Sequence, residues 1–516
     1  MKQRVVIIGA GLGGLATACL LAKAGYYVTV LEKNEQLGGR AGSLKAKDFT
    51  FDTGPSWYLM PDVFEHFFTL MGENIADHLR LVKLDPGFRI FYKDTGMHLD
   101  ITPSLQANMA TFEQIEPGAG KQLQKYLDRA RRTYETAVHD FSYKNYDRAG
   151  DLIGVKSLQA LRDIPLLSSM HHHVARHFRD PRLQKILLYP SVFLGVSPYK
   201  APALYSMLSH ADFTQGVYYP MGGMYSLTEA LVSLGRKHGV RYRTNCPVGK
   251  IVVKNGRAAG VLCRGKEQYA DIVVSNADIY HTENQLLAPS QRDHTKAYWQ
   301  HRTLAPSALL LYLGVDKQYP SLAHHNLLFS KDWRRNFAEI YDRPQFPTDP
   351  SLYVCAPGKT DPSVAPKGKE NLFVLVPVAA GLRYTPKQLE RFTERTLATI
   401  EQQLDLPGLR QSISYQKVFA VRDFAERFNS MQGTGLGLAH TLRQTALFRP
   451  GNISKKVEGL YYTGANVHPG IGMPSTFISA ELVYKRLTHD RSSTPLASLL
   501  PLIKPGSFDA GNGSPL

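Results

Sequence analysis

The sequence predicts an α/β protein with a nucleotide-binding domain at its amino terminus, on three observations. Residues 4–25, RVVIIGAGLGGLATACLLAKAG, place an apolar, β-branched strand before a glycine-rich turn and an apolar helix. A second strand, YYVTVLE, follows and ends in an acidic residue. The chain has 516 residues, of which 43% are hydrophobic and 20% charged, so it is long enough for two or three globular domains.

The glycines of the first turn follow the order G-x-G-x-x-G at Gly9, Gly11 and Gly14. In a βαβ unit the first glycine permits the tight turn, the second lets backbone approach a pyrophosphate, and the third lets the helix pack on the sheet. Glu32, at the end of the second strand, can accept both hydroxyls of a ribose. A secretory signal or membrane anchor would need only apolarity and not this glycine order. The unit therefore predicts an adenine dinucleotide without saying which one.

The next segment, QLGGRAGS, follows Glu32 and Lys33 closely and resembles the second signature of the flavoprotein amine-oxidase superfamily. The resemblance implies a Rossmann-type FAD-binding domain, with Lys33 and the backbone of Gly39 at the cofactor and the Arg40 guanidinium against the pyrophosphate. The alternative is a solvated loop whose glycines only make a turn. FAD is the cofactor that we expect.

A longer stretch, FDTGPSWYLMPDVFEHFF, comes after a short strand and continues into a helix with Pro61 in its first turn. It resembles the corresponding segment of bacterial and archaeal phytoene desaturases and their carotenoid-oxidoreductase relatives. The resemblance implies that Gly54, Pro55 and Ser56 lie beside the flavin ring. It covers nearly the full chain, with its specific motifs at both ends.

Two strands in the middle of the chain carry further residues that the resemblance assigns to the cofactor. The backbone of Val248, in NCPVGKIVV, is expected to hydrogen-bond the adenine. Asn276, after the strand DIVVS, is expected to lie near the cofactor.

The closing motif, GLYYTGANVHPGIGMPSTFISAELVYKRL, places a strand before a glycine-rich loop and a helix. Gly464, Gly472 and Met473 are expected to approach the flavin, because the start of a helix aims its positive dipole at the edge where negative charge collects on reduction. Asn466 is expected to contact the phosphate or the ribityl chain of the cofactor. Family enzymes often have an acid at this position. The alternative is an ordinary buried strand and helix.

The resemblance also implies a division of the chain. We expect a substrate-binding domain that contains a sheet, a helical region that faces a membrane, and a flexible tail, besides the FAD-binding domain. The predicted ranges are 1–72, 213–300 and 430–490 for the FAD-binding domain, 73–104 and 301–429 for the substrate-binding domain, 105–212 for the helical region and 491–516 for the tail.

The formal net charge of +17 suits an anionic partner, either nucleic acid or an acidic bilayer. No zinc-finger spacing or aromatic RNA-binding signature accompanies it, so we expect no nucleic acid. Basic residues alternate with aromatic and aliphatic ones across the helical region, as in helices that lie on membranes, although a soluble helical cap has a similar pattern. The longest apolar runs are shorter than the roughly 18 residues that span a bilayer. The sequence therefore predicts a cytoplasmic protein that is peripheral on the inner face of the cell membrane.

The four cysteines are widely spaced and form no C-x-x-C pair, so we expect reduced, buried thiols without a disulfide or metal site. Three consecutive histidines, His171, His172 and His173, cannot all face one ion if they are helical, because successive side chains point about 100° apart. We expect no metal.

The function that the resemblance implies is FAD-dependent desaturation of phytoene-like polyenes in carotenoid biosynthesis. Alternatives within the superfamily are a carotenoid isomerase, an oxidase of terminal methyl groups and a flavin amine oxidase. A non-catalytic, lipid-binding flavoprotein is an alternative of another class. No motif indicates an obligatory catalytic base; Arg148 and Asp151 are weak candidates. The substrate length, the number of steps, the electron acceptor (oxygen or a quinone) and the oligomeric state stay open.

Overall fold

The computed structural model describes residues 2–93, 95–148, 151 and 168–499, and the structural statements below concern this part of the chain. The strands are β1 Arg4–Ile8, β2 Tyr27–Leu31, β3 Ser43–Ala46, β4 Phe49–Asp52, β5 Leu81–Lys83, β6 Phe88–Tyr92, β7 His98–Ile101, β8 Tyr218–Pro220, β9 Arg241–Arg243, β10 Val248–Lys254, β11 Arg257–Cys263, β12 Lys266–Tyr269, β13 Ile272–Ser275, β14 Ser307–Val315, β15 His325–Phe329, β16 Leu352–Cys355, β17 Glu370–Val378, β18 Ile413–Phe419 and β19 Leu460–Tyr462. The α-helices of five or more residues are α1 Leu12–Lys23, α2 Pro61–Leu70, α3 Leu105–Ile115, α4 Ala119–Glu135, α5 Met170–Ala175, α6 Pro181–Leu188, α7 Tyr225–Lys237, α8 Lys296–Gln300, α9 Trp333–Tyr341, α10 Pro386–Gln403, α11 Val421–Phe428 and α12 Met473–Leu487.

A five-stranded sheet in the order β19-β13-β1-β2-β9 forms the centre of the first layer. All of its neighbouring strands are parallel, which confirms the predicted α/β class. Helix α1 is buried almost throughout and packs against α7 and α12. The sheet therefore presents the carboxyl ends of β1, β2, β13 and β19 at one edge, where doubly wound sheets bind their ligands.

A seven-stranded sheet in the order β18-β14-β17-β16-β15-β6-β7 forms the second layer. Its neighbouring strands are antiparallel except for β15 and β6. Alternate residues of β14 face opposite sides: Leu311 packs in a core with Ile400 of α10, whereas Tyr312 packs with Phe373 toward the helical region. The sheet is therefore covered on both faces.

The described helices of the 105–212 region, α3 to α6, pack under the second face of this sheet. Residues 149–150 and 152–167 of the region lie outside the described residues. In the part of the chain that the structure describes, no helix is long and apolar enough to cross a membrane.

The strands of the two main sheets come from separate stretches of sequence. The parallel sheet takes its strands from within 1–72, 213–300 and 430–490, and the seven-stranded sheet takes its strands from within 73–104 and 301–429. The segment after α12 is attached to it: the buried Lys485 ammonium donates to the carbonyl oxygens of Tyr143 and Thr494, at 2.9 and 2.6 Å. Residues 500–516 of the predicted tail lie outside the described residues.

The expectation that all four cysteines are free thiols is wrong. Cys246 and Cys263 form a disulfide, with their Cα atoms 6.0 Å apart. The hairpin of β10 and β11 brings them together, because Val248 pairs with Cys263 across it. The two cysteines are 17 positions apart, and the sequence contains no local signal for this pairing. Cys19 and Cys355 are free and buried, as expected.

Candidate active site

The turn after β1 is built by close contacts that only glycine permits. Gly9 has φ of +92°, and a Cβ at Gly14 would lie 2.3 Å from the Gly9 carbonyl oxygen. A Cβ at Gly11 would lie 2.8 Å from the Nδ2 atom of Asn276, which donates to the Gly9 carbonyl at 3.3 Å. Asn276 therefore lies against this turn, at the end of β13.

Glu32 lies at the end of β2, beside the same turn. One carboxylate oxygen accepts from the Ala10 N–H at 2.8 Å and the other accepts from the Asn34 N–H at 2.9 Å. The carboxylate lines the cavity described below, together with Val248 and the Cys246 end of the disulfide. Lys33 also lines the cavity, but its ammonium donates to the side chain of Asn429 at 2.7 Å.

Arg40 follows two glycines that pack on the first turn. A Cβ at Gly39 would lie 3.0 Å from the Gly11 Cα, and a Cβ at Gly54 would lie 2.5 Å from the Arg40 carbonyl oxygen. The Nε and Nη2 atoms of Arg40 are buried without a hydrogen-bond partner, and its Cζ lies 5.3 Å from the centre of the Phe428 ring. Burial lowers the pKa of Arg40, and the nearby Asp278 opposes this shift.

These two unpaired N–H groups test the fit of the cofactor. A buried guanidinium without acceptors is costly, and a phosphate oxygen is an acceptor that suits its planar geometry. Because Arg40 lies beside the glycine turn and the start of α1, the arrangement fits the pyrophosphate of a dinucleotide.

Asp278 is a site residue that the sequence analysis missed. It is 8% exposed, and one of its oxygens accepts from the Asn466 Nδ2 at 3.0 Å. Burial raises its pKa, while the Arg40 charge lowers it. Asn466 also accepts from the Leu438 N–H at 3.0 Å, so its amide joins two segments. An acid at 466 would repel Asp278, which gives a physical reason for asparagine there. The acid directly after Asn276-Ala277 was the only available signal.

The closing loop before α12 and the start of α12 complete the cofactor cradle. We use this name for the turn after β1, Glu32, Arg40, the closing loop and the start of α12. Gly464 has φ of +103°, its N–H donates to the Ser479 hydroxyl at 3.0 Å, and a Cβ at Gly13 would lie 2.9 Å from the Gly464 Cα. Gly472, with φ of +113°, precedes the first residue of α12, Met473, and both line the cavity. The start of α12 therefore faces the same space as the start of α1.

Two buried side chains that the sequence analysis missed hold the closing loop in place. The Arg449 guanidinium donates to four carbonyl oxygens, including those of Ala465 and Val467 at 2.7 and 3.2 Å. Burial lowers the pKa of Arg449 to about 10. The Nε2 atom of His440 accepts from the Ile471 N–H at 2.9 Å. Both residues lie in the stretch QGTGLGLAHTLRQTALFRP, and each acts on a later segment of the chain, so the local sequence does not show which backbone groups they contact.

The cradle is one part of a cavity of about 880 Å³. Gly54, Pro55 and Ser56 line it at the point where the cradle meets the seven-stranded sheet. Beyond them the wall is largely aromatic and aliphatic, and it includes Phe193, Leu327, Phe329, Trp333, Phe337, Phe373 and Leu375. Two of the residues that line the cavity, Leu442 and Phe448, are also 46% and 60% exposed, so they mark its rim.

Other candidates from the sequence lie elsewhere. Neither Arg148 nor Asp151 is among the described residues that line the cavity; the Asp151 carboxylate accepts from the Arg148 N–H at 2.9 Å. Of the three consecutive histidines, only His173 is buried, and its ring lies against Tyr126. One cluster of three buried groups, His324, His325 and Cys355, has ligand-type atoms within 4.8 Å of one another.

The chain belongs to the flavin-containing amine oxidoreductase family, whose members' pattern matches residues 12–483. It is 46% identical to a carotenoid 3,4-desaturase of Haloarcula japonica, over 95% of this chain and 98% of that one. It is 36% identical to a zeta-carotene-forming phytoene desaturase of Myxococcus xanthus, over 94% of both chains. An oxidoreductase of Methanosarcina mazei shares the fold with a TM-score of 0.64 at 20% identity, over 93% of this chain and all of the other.

Family membership and the dinucleotide cradle together identify the cofactor as FAD, as predicted. The protein is an oxidoreductase, and when FAD is bound it supplies a two-electron oxidation. The residues that would hold it are those that line the cradle, namely the glycine turn, Arg40 and the starts of α1 and α12.

Proposed function

We propose that this protein is an FAD-dependent desaturase of carotenoids, which removes a hydride and a proton from a CH2–CH2 unit and so extends the conjugated system. The observation that carries the proposal is the cavity, which continues from the cofactor cradle into an apolar wall of the seven-stranded sheet. A long hydrocarbon can bind to such a wall because the hydrocarbon has no polar groups that need hydrogen-bond partners. The likeness to curated carotenoid desaturases supports the same substrate class.

The lining also weighs against an amine oxidase. Among the described residues, the carboxylates that line the cavity are those of Glu32 and Asp278, and both lie in the cofactor cradle. A substrate ammonium bound in the apolar half would find no opposite charge there, and an unpaired buried charge is costly.

The test is anaerobic mixing of the FAD-loaded protein with carotenoids of graded saturation in liposomes, followed by chromatography and mass spectrometry. We expect bleaching of the flavin and a product with two hydrogens fewer. A lipid-binding flavoprotein would leave the flavin oxidised, an isomerase would give a product of unchanged mass, and a methyl oxidase would give an oxygenated product. Release of peroxide from amines would instead support an amine oxidase.

We further propose that the protein works at the inner, cytoplasmic face of the cell membrane, with the rim of the cavity against the bilayer. The exposed Leu442 and Phe448 lie at this rim, and the exposed Arg443 follows Leu442 directly. Apolar side chains that enter the headgroup boundary and basic groups that meet anionic lipid attach a protein without a span. The net charge of +17 favours attraction to anionic lipid.

Flotation with liposomes tests this attachment. The double variant Leu442→Ser/Phe448→Ser is expected to float less than the parent, and binding of the parent is expected to weaken at high salt. The matched control is Tyr27→Ser, because Tyr27 is 62% exposed and does not line the cavity. Equal flotation of all three proteins, or binding that ignores lipid charge, would contradict the proposal.

The electron acceptor is proposed to be oxygen or a quinone. Reoxidation of the reduced holoenzyme by quinone-containing liposomes without oxygen, compared with reoxidation by air, distinguishes the two acceptors by their rates.

A further inference from the structure

The apolar half of the cavity contains a tyrosine hydroxyl that is joined to the segment beside the cofactor cradle. Tyr353, in β16, lines the cavity and is 7% exposed. Its hydroxyl donates to the Ser56 hydroxyl at 2.9 Å and lies 2.7 Å from the Nδ1 atom of His325. Ser56 ends the Gly54–Ser56 segment, where the cradle meets the apolar wall. A hydroxyl that can transfer a proton thus lies where the cofactor cradle meets the apolar wall.

His325 is held in place behind Tyr353. It is fully buried, and its ring stacks on Trp57 with the ring centres 4.3 Å apart and an angle of 8° between the planes. Its Nε2 atom has no hydrogen-bond partner among the described residues. Burial lowers the pKa of His325 well below its ordinary value, and the adjacent His324 adds to this shift. His325 is therefore neutral. With its proton on Nε2, its Nδ1 lone pair can accept the Tyr353 proton when that hydroxyl turns from Ser56 toward the imidazole.

We propose that Tyr353 is the catalytic residue that removes the proton in the desaturation, and that His325 receives it. This inference rests on the proposed function. FAD, when bound, would accept the hydride, and the departure of the hydride leaves a positive charge on the substrate. The neighbouring C–H bond then breaks, its electron pair forms the new double bond, and the proton passes to the Tyr353 oxygen. The proton of Tyr353 moves at the same time to Nδ1 of His325, which becomes an imidazolium.

The charges balance in this step, because the positive charge of the substrate moves to the imidazole and the two electrons remain on the cofactor. A neutral imidazole of low basicity suffices, since a C–H bond beside a cationic carbon is a very strong acid. The proton leaves His325 when oxygen or a quinone, which takes two electrons and two protons, reoxidises the cofactor. Geometry comes first for a general base, and the Tyr353 hydroxyl links the apolar wall to the Gly54–Ser56 segment through described hydrogen bonds.

Tyr189, another tyrosine that lines the cavity, is a weaker candidate. The Tyr189 hydroxyl donates to the buried Asp212 carboxyl at 2.6 Å, on the side of the helical region. The described hydrogen bonds do not join this pair to Ser56.

The experiment uses Tyr353→Phe and His325→Gln in the FAD-loaded protein, with a carotenoid substrate in liposomes and a single anaerobic turnover. Loss of a positioned base slows proton transfer by about 10²- to 10⁴-fold, and we expect product formation to slow by that range in both variants. Glutamine retains a hydrogen-bonding group toward Tyr353 but cannot take up the proton, so it separates proton acceptance from mere orientation.

The matched control is Tyr312→Phe. Tyr312 is a buried tyrosine of the same sheet, outside the cavity, whose hydroxyl donates to the Thr53 carbonyl at 2.9 Å. The Tyr312→Phe variant controls for the loss of a hydroxyl that supports the segment from Thr53 to Ser56. Product formation by this variant should stay within a few fold of the parent. The FAD content and absorption spectrum are measured for every variant, and they should match those of the parent.

A solvent isotope effect gives an independent readout on the parent, because the proton that moves from Tyr353 to His325 exchanges with D2O whereas the substrate C–H does not. Should Tyr353→Phe fail to hold FAD, His325→Gln and this isotope effect decide. Turnover by both variants at the control's rate would overturn the proposal. So would stoichiometric zinc that is lost on His324→Ala, because the metal would then occupy the imidazole. A parent that forms no desaturated product would instead contradict the proposed function.

Discussion

At the scale of single residues, the cradle contains buried charged side chains. A buried charge is costly when it has no partner. Arg40 has two buried N–H groups without acceptors, while Asp278 lies close enough to affect its pKa and bonds to Asn466. A dinucleotide phosphate is the acceptor that completes this set. Position 40 should therefore require the geometry of arginine as well as its charge.

We predict that Arg40→Lys weakens FAD binding. Lysine keeps the charge but loses the planar pair of donors, and charge-assisted hydrogen bonds contribute about 1.5–3 kcal/mol each. Loss of one such bond corresponds to an FAD dissociation constant raised roughly ten- to a hundredfold. Fluorescence titration of the apoprotein with FAD measures the change. Arg422→Lys is the control, because Arg422 lies outside the cavity lining and donates to the Tyr384 carbonyl. Equal affinity in the two variants would contradict the placement of the phosphate.

At the scale of elements, pairs of segments distant in sequence hold the cofactor edge of the parallel sheet. The loop between β9 and β10 is joined to the end of β2, because the Cys246 N–H donates to the Glu32 carbonyl at 2.7 Å. The disulfide from Cys246 to Cys263 then connects this edge to the β10–β11 hairpin. The position of Val248 is consequently fixed relative to Glu32 from two sides.

We predict that the protein unfolded in denaturant without reductant releases two titratable thiols, those of Cys19 and Cys355, and four after reduction. Closing a loop of this size stabilises a protein by about 3 kcal/mol in the chain-entropy account. The double variant Cys246→Ser/Cys263→Ser should therefore unfold at lower denaturant concentration than the parent. Cys19→Ser is an unsuitable control because Cys19 is buried in the α1 core, so the reduced parent serves instead. Four thiols before reduction would refute the pairing.

At the scale of the whole molecule, buried acids connect stability to pH. Burial raises the pKa of Asp212 to about 7, whereas an unfolded aspartate has a pKa near 3.9. Between about pH 4 and pH 7 the folded state thus holds a proton that the unfolded state has lost. Because the folded state binds more protons there, stability falls as the pH rises through this window and levels off above it.

We predict that Asp212→Asn reduces this fall, since asparagine keeps an acceptor for the Tyr189 hydroxyl and does not titrate. One such group contributes a slope of about 1.4 kcal/mol per pH unit inside the window. Denaturant unfolding of parent and variant at several pH values between about 4 and 7 measures the difference between the two slopes. Burial also raises the pKa of Asp52 to about 7. Because Asp52 is present in both proteins, its contribution cancels in the difference between the two slopes. Parallel curves would show that Asp212 does not titrate in this window.

The sequence alone determined the parts of this protein that depend on neighbours along the chain. The β1-α1-β2 unit, the order of Gly9, Gly11 and Gly14, the acid at 32 and the loop before α12 are local patterns, and their spacing has a direct steric or electrostatic meaning. They sufficed for the fold class and for FAD. The apolar character of a polyene site followed only from resemblance, because no short pattern describes a cavity.

Tertiary structure decided which distant side chains meet. Asp278 reaches Asn466, Tyr353 reaches both Ser56 and His325, and the cysteines at 246 and 263 pair, each across separate segments. Such contacts depend on strand order and register, since a shift of one residue turns every side chain of a strand to the opposite face. The sequence of the helical region, 105–212, has no pattern that predicts which face of its helices lies toward the cavity. For that reason the sequence indicated the cofactor, whereas the candidate proton acceptor emerged only when the seven-stranded sheet was placed against the cradle.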